Sequence, residues 1–222
     1  MTAKTALVIA PHLDDETLGA GATIARLASE GTEVHVAVVT AGHPPLFQRE
    51  RAMEIVEEAK AAHAVLGVAR SHFLDLPAVE LDSLPHHVLN RAIGEVVWSV
   101  APDVLFLPFP GDIHLDHQLV AASALVAARP QGRFPRAVYA YETLSETNWN
   151  APYLAPTFQP NHFVEVTAHL ETKLDAMRRY RSQLREFPSE RSLEALRALA
   201  MHRGATVGVP AAEAFVTIRT VV

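Results

Sequence analysis

The sequence predicts an α/β protein: a mostly parallel, Rossmann-like sheet with helices on both faces, followed by C-terminal helices and a terminal strand. Two observations carry this. Short apolar runs rich in β-branched residues alternate with segments of helical periodicity. The runs are apolar at nearly every residue rather than every second one, which marks strands buried on both faces, as in a parallel sheet covered by helices. No repeat, low-complexity tract or linker divides the chain, so residues 1–222 read as one domain, with a core over 1–145 and an extension of that domain over 146–222.

The elements follow in order. Ala6–Ala10 (ALVIA) is a buried strand bounded by Pro11. Thr17–Glu30 is a helix with Leu18, Ala22, Ala25 and Leu27 as its apolar positions and Gly31 as its stop. Val34–Thr40 is the second strand. Phe47–Leu66 is a long helix that aligns Met53, Val56, Ala59, Ala62 and Leu66 on one face and ends at Gly67. Ser71–Leu74 is a strand, Ser83–Val100 a helix and Val104–Pro108 (VLFLP) a strand. His117–Ala128 is a helix stopped by Pro130, and Ala137–Tyr141 is the fifth strand. Beyond residue 145 the pattern weakens. Asn148–Pro160 reads as a loop, Phe163–Val166 as a strand, Thr167–Phe187 and Ser189–His202 as helices joined at Pro188, and Phe215–Val221 as a closing strand.

Composition removes several functions. The chain has no cysteine, so it has no disulfide framework, no thiolate nucleophile and no Cys-ligated metal. That fits a reducing cytoplasm. With 12 histidines, any metal site must be built from imidazoles and carboxylates. A formal net charge of −6 argues against nonspecific nucleic-acid binding. No apolar run has the ~18 residues of a membrane span. The apolar stretch near the N-terminus is too short for a secretory signal.

Ligands of open parallel sheets bind beyond the carboxyl ends of the strands. After the first strand stand His12, Leu13, Asp14, Asp15 and Glu16; after the fourth, the run FPGDIHLDH ending at His117. Adjacent carboxylates repel unless a cation neutralises them or one is protonated. A helix cap accounts for one Asp, not for two and a His behind a buried strand. His114 and His117 share a face if that segment is helical. One His and one Asp from the first cluster with one His from the second supply the three protein ligands of a catalytic zinc, and leave an Asp free as base. Gly19-Ala20-Gly21 resembles part of a dinucleotide fingerprint, but it lies well past the strand and lacks the third glycine, Ile24 standing there. Close helix–sheet packing is the better account of those glycines.

With both clusters in place the sequence resembles the PIG-L/LmbE-like family of zinc-dependent N-acetylglucosaminyl deacetylases. The family's P-H-x-D-D-E motif matches Pro11–Glu16, its H-x-D-H motif matches His114–His117, and the likeness extends over nearly the whole chain. The resemblance implies one zinc, with iron(II) or cobalt(II) as alternatives, held by His12, Asp15 and His117. It implies Asp14 as general base, and His114 beside the oxyanion as a cation whose pKa Asp116 would raise. It also implies removal of the acetyl group from an N-acetylglucosamine-containing small molecule. The segment Arg203–Phe215 looks most like the subgroup acting on GlcNAc-malate in bacillithiol synthesis; a thiol-sugar conjugate amidase is the alternative within the family. Where members often carry a substrate-binding Arg in the second helix this chain has Ile55 and Val56, so Arg51 or Arg49 is the expected substitute. His43 and Glu142 follow other strands and are further substrate-contact candidates, as is an aromatic wall of Tyr141, Trp149 and Tyr153. Outside the family, a nucleotide-binding Rossmann domain or a non-catalytic binding protein are the competing functions. The arginine-rich C-terminal helices and apolar terminal strand are compatible with a homo-oligomer.

Overall fold

The computed structural model describes residues 3–222. The elements are β1 (Thr5–Ala10), α1 (Asp15–Ser29), β2 (Glu33–Ala41), α2 (Arg49–Leu66), β3 (Arg70–Pro77), a 3-10 turn (Leu81–Ser83), α3 (His86–Val100), β4 (Val104–Pro108), α4 (Leu115–Ala127), β5 (Ala137–Tyr141), β6 (His162–Glu165), α5 (Leu170–Met177), α6 (Leu193–Val207) and β7 (Ala212–Thr220). They build a seven-stranded sheet in the order β3-β2-β1-β4-β5-β7-β6. The pairings β2–β3, β1–β2, β1–β4 and β4–β5 are parallel. Those of β7 with β5 and β6 are antiparallel. The expected mostly parallel α/β sheet is therefore present, with an antiparallel pair added at one edge.

Alternate side chains of β1 feed two cores. Ala6, Val8 and Ala10 lie in a cluster with residues of α1, α2, α5 and α6. Leu7 and Ile9 lie in a second with residues of α3 and α4. The helices thus cover both faces, which is why every β1 residue from Ala6 to Ala10 is buried. The chain winds outward from β1 through β2 to β3 and, in the other direction, from β4 to β5. The strand order therefore switches between β1 and β4, the place where such sheets leave a crevice at their carboxyl edge.

Gly19 is a packing residue, as expected of it. A Cβ there would lie 2.2 Å from the ring of Tyr141, which is wholly buried and donates its hydroxyl to the Ile9 carbonyl at 2.8 Å. This close approach of α1 to β5 leaves the Gly19-Ala20-Gly21 run no part in a phosphate loop.

Several boundaries differ from expectation; α6, expected over Ser189–His202, runs Leu193–Val207, and β3, expected over Ser71–Leu74, runs Arg70–Pro77. The helix expected over Ser83–Val100 begins at His86, because Pro85 separates it from the 3-10 turn. The helix expected over Thr167–Phe187 ends at Met177, and Arg178–Ser192 is a run of turns. Tertiary hydrogen bonds hold that run: Tyr180 donates its hydroxyl to Glu16 at 2.6 Å, and Ser182 donates from both its amide and its hydroxyl to Glu58. The closing strand starts earlier than expected, at Ala212. It is taken up between β5 and β6, so its apolar residues serve the chain's own sheet rather than an exposed edge. Among the described residues no helix is long and apolar enough to cross a membrane.

Candidate metal centre

The carboxyl ends of β1 and β4 converge. β1 runs into Pro11 and His12, and α1 starts at Asp15. Asp14, between them, has φ 122°, in the left-handed region that costs a residue with a Cβ about 1–3 kcal/mol. Its carbonyl accepts from Thr17 and Leu18 and so begins the helix. Its side chain makes no capping bond, so the bland reading of this Asp as an N-cap does not hold. Instead Arg191 donates to its Oδ2 at 2.7 Å. Its amide donates to Glu16 Oε2 at 3.3 Å, and Glu16 is itself held by Thr17 and Tyr180.

Asp15 lies at the centre. Its Oδ2 accepts from the His12 amide at 2.8 Å, and stands 3.3 Å from His12 Nδ1 and 3.2 Å from His117 Nε2. One ligand atom from each of His12, Asp15 and His117 falls within 4.8 Å of the others. The same holds for His12, His114 and Asp116. Asp15 Oδ1 and His117 Nε2 are fully buried and have no hydrogen-bond partner. Buried polar atoms are seldom left so, and with the Nδ1 proton of His117 on Asp112 both orphans offer lone pairs, which, beside a His12 nitrogen, a bound cation would satisfy. The first set therefore fits a metal.

Each imidazole of that set has its own carboxylate on the far nitrogen. His117 Nδ1 is bonded to Asp112 Oδ2 at 2.8 Å, and Thr147 donates to the other Asp112 oxygen at 2.6 Å. His12 Nε2 is bonded to Asp116 Oδ2 at 3.1 Å, and the Val79 amide donates to the same oxygen at 2.7 Å. Such partners fix the ring and its tautomer in metal-binding histidines. Asp116 was expected to orient His114; its carboxylate serves His12 instead. Only its backbone amide reaches His114, donating to Nδ1 at 3.1 Å.

The electrostatics follow from this crowding. Burial works against charge on His12, yet its hydrogen bonds to Asp116 and Asp15 outweigh it and raise its pKa to about 9. Burial is likewise outweighed at His117, where Asp15 and Asp112 raise the value to about 10. Without a cation, then, the carboxylates recruit protons to both rings. Burial lifts Asp14 to about 8; Arg191 opposes this, while Asp15 and Glu16 add to it. His114 goes the other way from expectation. Burial, then His12 and His117, depress it, and Asp116 does not compensate. An amide donating to its Nδ1 also requires that nitrogen to be unprotonated, so His114 is neutral, with its proton on Nε2.

A cavity of about 230 Å³ opens beside the cluster, lined on this side by His12, Asp14, His114, Glu146 and Arg191. Arg51, of the expected substrate contacts, also lines it but is paired with Glu54. His43 does not; it faces Asp75, 3.3 Å from a carboxylate oxygen. Glu142 turns elsewhere and accepts two bonds from Arg203, at 2.8 and 2.6 Å. Of the aromatic wall, Tyr141 is wholly buried in the core and Trp149 and Tyr153 are exposed outside the cavity lining. His63 donates or accepts at Ser71 and stands 3.4 Å from Glu16, a supporting contact under the site. Two residues close to the centre were not anticipated. Asp112 stood in view, five residues before His117 in the same motif. Arg191 left no local signal, since only the turns after Met177 bring it to Asp14.

Comparison with known proteins gives the chain a family. The family model for GlcNAc-PI de-N-acetylase, PIG-L, matches residues 7–128, more than half of the chain. The chain belongs to the PIG-L family. The PIG-L match runs from β1 through α4 and so contains both motif segments. A diacetylchitobiose deacetylase of Thermococcus kodakarensis is 29% identical over 215 residues, 92% of this chain and 79% of that protein. An uncharacterised deacetylase of Escherichia coli is 30% identical over 190 residues, 81% of this chain and 91% of that one. Among solved structures, N,N'-diacetylchitobiose deacetylase from Pyrococcus horikoshii superposes with a TM-score of 0.79 at 26% identity, covering 97% of this chain and 84% of that one.

Proposed function

We propose that this PIG-L protein is a metal-dependent N-deacetylase that removes the acetyl group from an N-acetylglucosamine-containing small molecule. The observation that carries the proposal is the pair of orphaned, fully buried atoms, Asp15 Oδ1 and His117 Nε2, beside His12. His12, Asp15 and His117 would hold one divalent cation, zinc first, with iron(II) or cobalt(II) also suited to two imidazoles and a carboxylate. When bound, such an ion supplies a Lewis acid for the amide carbonyl and acidifies water. Asp14 accepts the proton of the attacking water at its carboxylate and returns it to the leaving amine. Arg191 holds the Asp14 carboxylate in place through its 2.7 Å hydrogen bond. His114, neutral, donates from Nε2 to the oxygen that gains charge; donors of this kind contribute about 3–4 kcal/mol.

The GlcNAc-malate expectation rested on Arg203–Phe215, and that segment supports the fold rather than the cavity. Arg203 pairs with Glu142, and Glu213 accepts from Lys173 at 2.6 Å. N-acetylglucosaminides are therefore carried forward as the substrate class; cleavage of a thiol-sugar conjugate is the same amide hydrolysis on a larger acyl group. The test is amine release from N-acetylglucosaminides by the purified protein, before and after chelation and after zinc is returned. Activity that chelation leaves intact refutes the metal role. A metal-loaded protein that releases no amine from any glycoside refutes the deacetylase reading.

A further inference from the structure

The cavity has two kinds of lining. His12, Asp14 and His114 of the His–Asp cluster are the groups that would bond to the reacting amide. Most of the remaining lining is apolar, with Leu13, Ala41, Phe47, Ala52, Ile55 and Val79 in it, and Arg51 stands beside them on α2. Its construction is specific. Ala52 and Ile55 lie one turn apart on α2 and so present one face. Phe47 seats itself over Gly42, where a Cβ would come within 2.7 Å of its ring. Next to these residues in the chain, Leu46 and Met53 are more than half exposed. Arg191 is held by Asp14 and Glu146, and Arg51 stands at an exposed position in a surface pair with Glu54. A carboxylate or phosphate set among the apolar residues would lose its water and find only the exposed Arg51 as a partner. An apolar group would gain what burial of apolar surface provides, while the polar groups of the His–Asp cluster fix the orientation.

We infer that the substrate is amphiphilic: the group borne by the sugar is an aryl or alkyl aglycone, selected by Phe47 and Ile55. This rests on the N-deacetylase reading for the orientation of the amide, and it names a substrate class that the reading leaves open.

The experiment compares methyl, hexyl and 4-nitrophenyl N-acetyl-β-glucosaminides with a glycoside carrying a carboxylate aglycone, on the zinc-loaded protein. Hexyl and aryl glycosides should exceed the methyl glycoside in kcat/KM by about tenfold or more, mainly through KM, as burial of a few methylenes predicts. Ile55→Arg should remove that advantage and favour the carboxylate glycoside; Phe47→Ala, at a half-exposed loop position, should weaken the same preference without a charge. Equal kcat/KM across the series, a wild-type preference for the carboxylate, or a preference for a longer N-acyl chain over a longer aglycone would each overturn the inference. Calorimetry with methyl and hexyl β-glucosides, which have no amide to cleave, separates the two readings. If tighter binding of the hexyl compound survives while no amide is hydrolysed, the deacetylase reading fails and the apolar subsite stands. If the two bind equally, the apolar subsite fails whatever the activity.

Discussion

Asp14 and Asp112 show how neighbouring carboxylates in one site come to hold different tasks. Asp14 contacts Arg191 and faces the cavity, whereas Asp112 is wholly buried behind His117. Asp14→Asn should therefore leave metal content near normal and lower kcat by roughly 10²–10⁴-fold, the usual worth of a general base. Most of the activity surviving would remove Asp14 from that role. Asp112→Asn should act through the metal instead, weakening its affinity about 10–100-fold, the effect expected of a carboxylate behind a histidine ligand. Competition with a chelator measures it, and an unchanged affinity would leave Asp112 a purely structural neighbour. At this scale the sequence was legible where chemistry is written in a contiguous motif. His12, Asp14, Asp15 and His117 could be named, and they meet. What could not be read is pairing at a distance: that Asp116 serves His12 rather than His114, and that Arg191 returns to Asp14. The reversal at His114 has the same origin. Sequence proximity to Asp116 suggested a raised pKa, while the fold supplies burial and two imidazoles that depress it.

Among the elements, strands were read well and the C-terminal third poorly. β4 and β5 fall on Val104–Pro108 and Ala137–Tyr141 because continuous apolar runs in a covered parallel sheet have no competing interpretation. β7 was missed over Ala212–Ala214 because Glu213 is a charged residue inside a strand, which only its partner explains. Lys173, from α5, donates to Glu213 and to the Leu18 carbonyl, while the Ala22 and Thr23 amides of α1 donate to the same carboxylate. One buried ion pair thus ties α1, α5 and β7 together under the site. Lys173→Met should cost about 3–5 kcal/mol, because it leaves a buried carboxylate without its counter-charge. Urea unfolding of the metal-free protein reads this directly, and a loss below about 1 kcal/mol would mean that the backbone amides alone suffice for Glu213. The missing second half of α5 has a related cause: from Tyr180 onward, bonds to Glu16 and Glu58 in α1 and α2 compete with helix propensity and prevail.

For the whole molecule, the proposed metal site makes metal uptake, protonation and stability one equilibrium. In the metal-free protein His12 and His117 have pKa values of about 9 and 10, above the ordinary 6.5 of histidine. Their ion pairs therefore contribute fully to stability below pH 6.5, and the contribution is lost as pH rises through 9 to 10. Asp14 acts in the same direction: its value of about 8 means that the folded state gives up a proton reluctantly, so stability also declines as pH rises from the ordinary carboxylate range toward 8. A cation must displace both imidazole protons, so binding near pH 7 should release about two protons or more and strengthen as pH rises toward 9. Two measurements follow. Calorimetric titration with zinc in buffers of different ionisation enthalpy gives the proton count directly, and fewer than one proton would mean that the rings are already neutral. Thermal unfolding should show the metal-free Tm falling between pH 6.5 and 9.5 while the gain on adding zinc grows over the same interval. A gain independent of pH would break the link between the carboxylates behind the rings and the cation in front of them, because the same Asp15, Asp112 and Asp116 that raise the imidazole pKa values are the groups that hold those rings ready for the metal.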